Sequence, residues 1–471
     1  MNRQQIVIEY IYDNYLHFNR LRHDVVADKL QLREEEGWRE LTKHDINSIV
    51  CHCAQEYDAN ITSREVMTAL QSDLIPDVHP LREYVLSCSP WTPDQPDWID
   101  MVAQQVKVKN NNVECGINKD NLNNSSASPT MLSGMGGHIY QQYQQLRINN
   151  ENNYSQASAN VGRAQELSML SSEQTTPLSL QDKPADRLWR LCFKKWFVAM
   201  VASWMYDEVV NHQVLVLIGK QGIYKTTWLE RLIPPHLRAY ACKLANSNDL
   251  NKDERLRIAE FGLISLDEID SMNNRELNQL KSVITATDVN ERAAYAYTKE
   301  RRVRLASFCA SGNRRDFLTD ITGNRRWLPF EVESIQNPFF TTLPYERMYA
   351  EALALANDPT FCYWFELDEI EVLEEHNQHF RDESNEEQLL PILFDTPAEG
   401  KGEFMTSAQI SERLVTYGGI KKPMAMNTLG IVLSKAGYKT VRRRLGGSQV
   451  RGWLVYPRSS DEINANKKLL V

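Results

Sequence analysis

Apolar residues recur at i, i+3 and i+4 spacing in IVIEYIYDNYLHF (6–18) and ITSREVMTALQSDL (61–74), the period of a helix with one buried face. Thr62 or Ser63 is placed to cap the second stretch. Together they predict a mostly helical N-terminal domain over 1–107, which closes with HPLREYVLSCSPW at 79–91 and the proline-rich PWTPDQPDW. From Asp186 to about 335 the pattern becomes an alternation: helix 186–210, strand QVLVLIG, helix TTWLERLI, strand GLISLDE, helix NRELNQLKSVIT, strand RLASFCASG. Strands alternating with helices predict an α/β layered domain with a largely parallel sheet. The stretch 401–457 reads as helix TSAQISERLVTYG, helix NTLGIVLSKAG, then two strands around a Gly446-Gly447 turn in YKTVRRRLGGSQVRGWLVYP. Helix, helix, hairpin is the order a winged helix requires.

Three segments separate or follow these domains. The Asn- and Ser-rich 108–184 has few residues able to build a core, so burial does not offset the entropy of ordering it, and it reads as a flexible linker. Short pieces such as IYQQYQQLRI are suited to folding on a partner. Residues 336–400 form a helical, acidic connector in which FELDEIEVLEEHNQHFRDESNEEQ (365–388) is a solvated helical face or hinge. Residues 458–471 are a tail.

Composition narrows the class. At 471 residues the chain is too long for one core and fits two or three domains, and 42% hydrophobic with 24% charged residues is ordinary for a soluble protein. The most apolar helical run, WFVAMVASWMY at 196–206, falls short of the roughly 20 apolar residues of a membrane span, so it predicts a buried helix and no membrane association. The N-terminus has acids among its apolar residues and no small-residue cleavage site, unlike a secretory signal. Eight cysteines without framework spacing suit a reducing cytoplasm. Cys51-His52-Cys53 invites a metal reading, but adjacent side chains point apart and no second ligand pair stands at zinc-site spacing, so a structural role is expected. The net charge of −9 argues against a uniformly basic coat, yet 401–457 carries ten Lys/Arg against two Glu, a local balance of +8.

The chemistry is concentrated in LIGKQGIYKTTWL at 217–229, after the strand VLVLI and before a helix. Gly219, Gly222, Lys225 and Thr226, with Thr227 next to them, give the spacing in which backbone N–H groups surround a β-phosphate, a lysine meets the β/γ oxygens and a hydroxyl ligates Mg²⁺. Tyr224 stands where a glycine is expected. A tyrosine fits that turn with a negative φ and its ring directed away from the phosphates, flanking the nucleotide or a neighbouring subunit. About forty residues on, FGLISLDEID runs an apolar strand into Asp267 and Glu268, where one carboxylate holds Mg²⁺ and its neighbour polarises the attacking water. The next strand ends in Asn313, whose amide is placed to touch the γ-phosphate or orient that water. TGNRRWLPFEV puts Arg325 and Arg326 before another strand; either suits an arginine finger supplied across a subunit boundary. In ERAAYAYTKERRVR, Lys299, Arg301, Arg302 and Arg304 stand beside Tyr295 and Tyr297, the mixture with which a hairpin tracks single-stranded DNA.

In GKQGIYKT, LDE, the ERAAYAYTKERRVRLASF block and TGNRRWLPFEV, over about 186–335, the chain resembles the virulence-associated protein E family of P-loop ATPases, relatives of the superfamily 3 helicases of phages, plasmids and other mobile elements. HPLREYVLSCSPW is loosely similar to the segment before the ATPase core of that family. The resemblance implies an AAA+-like P-loop core assembling as a homo-oligomeric ring, with ATP at subunit interfaces and DNA threaded past the basic hairpin. It places Lys225 and Thr226 at the Walker A positions, Asp267 and Glu268 at the Walker B, Asn313 at the sensor and Arg325 or Arg326 at the finger. Family members often carry a primase region upstream; 1–107 shows no acidic primase triad, so priming is not expected.

In the C-terminal module a recognition helix over 426–436 with Lys435, then Lys439, Arg442, Arg443 and Arg444, would face a DNA duplex. Winged helices also serve as protein-interaction modules, which leaves that reading open. The expectation is an α/β protein with an AAA+-like P-loop core, a helical N-terminal domain and a C-terminal winged-helix-like domain, acting with ATP and Mg²⁺ as a DNA helicase or replication-initiation ATPase of a mobile element. The alternative is a nucleotide-gated DNA-binding or regulatory protein, of defence type for instance, that does not translocate.

Overall fold

The computed structural model describes residues 2–35, 37–110, 183–244, 252–291, 300–318, 324–396, 402–445 and 447–463. Nearly all of the expected linker, residues 111–182, lies outside them. The chain divides into two units, Met1–Arg315 with Arg325–His376, and Asp316–Asn324 with Asn377–Val471. Both are mixtures of helix and sheet, and no helix of the described residues is long and apolar enough to cross a membrane.

The first unit begins with the helix Arg3–Ile11. Strands β1 (Leu21–Asp24), β2 (Lys29–Glu34) and β3 (Gly37–Glu40) then form an antiparallel meander, and β4 (Asp77–Val78) adds to β1 in parallel. The N-terminal region is therefore α+β, which corrects the mostly helical expectation. Its strands are two to six residues long, with tight turns such as the one at Asp28 (φ 55°), too short to impose a period on a longer window. Helices Lys43–Tyr57 and Ser63–Leu70 complete it, the second capped by Thr62, whose hydroxyl accepts from the Glu65 N–H while the Glu65 carboxylate reaches back to the Thr62 N–H.

The expected break at 107 falls inside the first unit. Helices Pro80–Ser87 and Trp98–Ala103 pack into the main core, and β5 (Val106–Val108) runs antiparallel to the last strand of the central sheet. That sheet continues with β6 (Val214–Ile218), β7 (Ala241–Leu244) and β8 (Leu263–Leu266), then, after a hairpin of β9 (Asp288–Glu291) and β10 (Glu300–Val303), with β11 (Ser307–Gly312) and β12 (Trp327–Ile335). Its order is β5-β12-β6-β11-β8-β7, and every pairing except β5 with β12 is parallel. All five residues of VLVLI in β6 are buried, as a strand covered on both faces demands.

The helix Pro184–Met205 is the main cover of this sheet, with sixteen of its residues buried. Trp189, Trp196 and Trp204 donate their indole N–H groups to the carbonyls of Ala103 (2.9 Å), Phe308 (3.1 Å) and Gly262 (3.1 Å). Each ring thus contributes apolar area without leaving its polar atom unpaired. Helix Tyr345–Ala356 packs against the same element, so the first part of the expected 336–400 connector belongs to the core.

The second unit takes the end of that stretch, from Asn377 onward. Helix Asn385–Leu393 leads into β13 (Phe394–Asp395) and β14 (Glu403–Met405); helices Ser407–Gly418 and Met426–Lys435 follow, then β15 (Thr440–Leu445) and β16 (Ser448–Pro457). β16 is the hub, pairing antiparallel with β13, β14 and β15. Leu390, Leu393, Ile410, Leu414, Leu429, Leu433, Trp453 and Val455 form its separate core.

Candidate functional site

Strand order builds the site. β11 lies between β6 and β8, and all three are parallel, so their C-terminal ends open on one edge of the sheet. The loop 219–224, the carboxylates after β8 and the polar end of β11 meet there.

At the loop, a Cβ on Gly219 would stand 2.9 Å from the Val332 carbonyl oxygen, so only glycine allows β12 to approach this closely. Gly222 is left-handed (φ 85°), and so is Tyr224 (φ 68°, ψ 18°). The negative φ expected for Tyr224 is therefore corrected. The turn keeps a left-handed residue in front of Lys225 whatever its side chain, at a cost of about 1 kcal/mol for a non-glycine. The Tyr224 ring, 37% exposed, packs edge-on against Phe339 with centroids 6.2 Å apart. The helix Lys225–Glu230 starts at once, with the Trp228 N–H donating to the Tyr224 carbonyl.

Lys225 is buried, and its ammonium donates to the carbonyls of Gly219 (2.8 Å) and Lys220 (2.7 Å) and to Asn313 Oδ1 (3.4 Å). Burial lowers its pKa, opposed by the charges of Asp270 and Asp267. Beside it three oxygens converge: Thr226 Oγ1 lies 2.8 Å from Ser311 Oγ and 3.2 Å from Asp267 Oδ1, and Ser311 donates to the same Oδ1 at 2.7 Å. Lys243, on β7, pairs with Asp267 Oδ2 at 2.8 Å. Burial pushes the Asp267 carboxyl up, but hydrogen bonds from Lys243, Ser311 and Thr226 and the Lys243 charge hold it below its ordinary value.

Glu268 is exposed and left-handed (φ 52°), strain of the kind that gathers at functional positions. Its carbonyl accepts from the Ser271 N–H and hydroxyl. Asp270 accepts the N–H groups of Asn313 and Arg314, both at 3.1 Å, and so ties the turn after β8 to the end of β11. A Cβ on Gly312 would lie 2.8 Å from Asp270 Oδ1, which accounts for that glycine.

Sequence reasoning missed Asp270, Ser311 and Lys243. The third acid of D-E-I-D and the serine two residues before Asn313 were legible signals; Lys243 had none, because only the pairing of β7 with β8 brings it beside Asp267. Thr227 and Lys243 line a cavity of about 600 Å³ next to this cluster, with Glu230, Arg231, Ser265 and Phe339.

Other expected residues stand apart. Arg325 and Arg326 precede β12, where Trp327 aligns with Val214 at the start of β6. They are roughly 15 Å along the sheet from the loop after β6, and one chain does not bring them to it. Burial, then the charges of Arg304, Arg326 and Arg325, lower the pKa of His212 near that end. Arg304 is corrected as a DNA contact: it is 1% exposed, and its guanidinium donates to the carbonyls of Asn211 (2.9 Å), Ala306 (3.1 Å), Ala286 (3.3 Å) and Ile284. Arg302 is held by Asp28 (2.5 Å) and Glu260 (3.4 Å). Tyr295, Tyr297 and Lys299 lie outside the described residues, and for Arg301 only the backbone is described. Lys435, Lys439, Arg442, Arg443 and Arg444 are exposed in the second unit, while Gly446 lies outside the described residues.

The oxygen donors fit a hard cation. Among the described residues no cluster of three or more His, Cys, Asp or Glu could hold a metal alone. One carboxylate and one or two hydroxyls match the habit of Mg²⁺, which completes its shell with water and substrate phosphates.

Among solved structures, the chain is similar to the apo structure of the NrS-1 C terminal region (305-718), at 11% identity and a TM-score of 0.39, covering 96% of this chain and 99% of that one. It is also similar to two A-form apo structures of that region, at 11% and 10% identity, each with a TM-score of 0.40, covering 95% and 93% of this chain and 99% and 98% of theirs. No curated protein matches the chain. Residues 175–382, the stretch that carries Lys225, Asp267, Glu268, Asn313 and both candidate finger arginines, match the Virulence-associated protein E-like domain.

Proposed function

We propose that the chain is an ATP-hydrolysing DNA helicase or replication-initiation ATPase of a mobile genetic element, with an AAA+-like P-loop core and a winged-helix-like C-terminal module. The observation that carries the reading is the convergence of Lys225, Thr226, Ser311, Asp267 and Asn313 at the C-terminal ends of β6, β8 and β11. A lysine buried beside a glycine loop and a hydroxyl bonded to a strand-end carboxylate are the parts that phosphoryl transfer uses. ATP would draw the Lys225 ammonium from the loop carbonyls to its β/γ oxygens. Thr226 and Asp267 would hold Mg²⁺, which supplies neutralising charge to the phosphates. Glu268 would orient the attacking water, and Asn313, its backbone fixed by Asp270, would sense the γ-phosphate. Arg325 or Arg326 would act on the site of a neighbouring subunit in a ring. The exposed cations of the second unit would meet duplex DNA.

DNA-stimulated ATP hydrolysis by wild type and Lys225→Ala tests this. The variant should lose at least ~100-fold in turnover, the scale of one charged transition-state contact; equal rates would remove the central claim. A second reading, a nucleotide-gated switch that does not translocate, is favoured by left-handed Tyr224 and by the carbonyl partners already on Lys225. Background hydrolysis by wild type and Glu268→Gln alike, with nucleotide binding intact, would select it.

A further inference from the structure

Resting on the DNA reading of the second unit, we propose that Arg442, Arg444 and Arg451 form its duplex-phosphate surface on one face of the β15–β16 hairpin, and that Arg443 is not part of it. The arginine triplet does not act as a block, because successive strand residues face opposite sides. The register sets Thr440 opposite Trp453, Arg442 opposite Arg451 and Arg444 opposite Gln449, so these six side chains share one face. Trp453 and Val455 on that face are buried in the core beneath helix Met426–Lys435, and a Cβ on Gly430 of that helix would stand 3.6 Å from the Trp453 ring. The three arginines therefore continue outward from the side of the sheet that the helix covers.

Arg443 faces the other way, with Val441, Val450 and Gly452. The Phe404 ring lies over Gly452, where a Cβ would be 2.5 Å away, and the Arg443 guanidinium stacks on that ring at 5.4 Å. Its position is explained by packing.

Arg442 and Arg451 are exposed like charges directly opposite each other, an arrangement that destabilises a sheet. The described ion pairs of this unit, Arg381–Glu387 and Arg458–Asp395, do not involve Arg442, Arg444 or Arg451. Among the described residues, Arg451 meets only Thr440 Oγ1, at 3.4 Å, and a distant stack on Trp453. A polyanion relieves this repulsion. Cations repeated at roughly 7 Å along a strand suit a regular row of phosphates better than scattered carboxylates.

The test is binding of the full chain to a random-sequence duplex as salt is varied, with Arg442→Gln, Arg444→Gln, Arg451→Gln and Arg443→Gln compared after thermal melts confirm folding. Each of the first three should lower the slope of log K against log salt by about 0.9, and Arg443→Gln should leave it unchanged. If Arg443→Gln lowers the slope as much as Arg451→Gln, or Arg451→Gln has no effect, the assignment is overturned. If poly-glutamate competes as well as DNA, an acidic protein is the better partner and the proposal falls. If wild type binds duplex with no salt dependence at all, the DNA reading itself fails.

Discussion

Two arginine-rich stretches, ERRVR at 300–304 and VRRRL at 441–445, sit on or beside hairpin strands and meet opposite surroundings. In the first, Arg304 is enclosed and bound by four main-chain carbonyls, and Arg302 bridges to Asp28 beside the N-terminal meander and to Glu260. In the second, Arg442 and Arg444 project into solvent opposite Arg451 and Gln449. A guanidinium carries five donors and keeps its charge, so inside a fold it needs acceptors on most of them. What separates structural from available arginines is therefore the supply of acceptors around them, which the local charge pattern does not report.

The largest effect that would break this contrast is at Arg304. Arg304→Ala should destabilise the first unit by about 3 kcal/mol or more, because four main-chain acceptors, three of them in buried bonds, lose their donor; urea unfolding would measure it, and a wild-type midpoint would refute the structural role. Arg302→Ala should cost less, up to about 1 kcal/mol, since its partners are partly exposed. Asp28→Ala should be nearly as costly alone and add little on top of Arg302→Ala in a double-mutant cycle. Arg444→Ala should change stability by no more than about 0.5 kcal/mol; a larger loss would mean the hairpin cations are structural too.

The smallest effect concerns a third arginine and is read by pH. Arg39 grips Asp45 through both Nη atoms, at 2.7 and 2.8 Å. That pairing, then hydrogen bonds from Thr42, outweigh burial and hold the Asp45 carboxyl well below its ordinary value of 3.8. A depressed carboxyl stabilises the fold above its unfolded pKa and loses that contribution as pH falls through the folded one. The loss should thus begin only below about pH 4, and Arg39→Ala should raise the Asp45 titration, followed by carboxyl NMR, toward the ordinary range. An unchanged titration would show that the pair is not formed in solution.

Elements whose signal is local were legible from sequence. The helix Asn274–Thr285 coincides with NRELNQLKSVIT, β6 with its unbroken apolar run, and the cap at Thr62 with its T-x-x-E spacing. The meander at 21–40 was not, because strands this short leave no period. The site divides the same way. Lys225, Thr226, Asp267 and Asn313 were visible through order and spacing, and the structure brings them together. Lys243 joins through the pairing of β7 with β8, and Arg304 is lost to DNA through burial; both depend on packing distant in sequence. Tyr224 is the most instructive residue. Its type argued for a negative φ, but the turn before Lys225 set the backbone and the side chain adapted by lying against Phe339.

The central claim is that the Asp267–Glu268 end of β8 hydrolyses a nucleotide held by Lys225. It is tested most directly by measuring ATP affinity and single-turnover hydrolysis together in Glu268→Gln. Glu268→Gln should keep wild-type affinity with hydrolysis reduced ~100-fold or more. Unchanged hydrolysis, or no ATP binding by the wild-type chain, would contradict it.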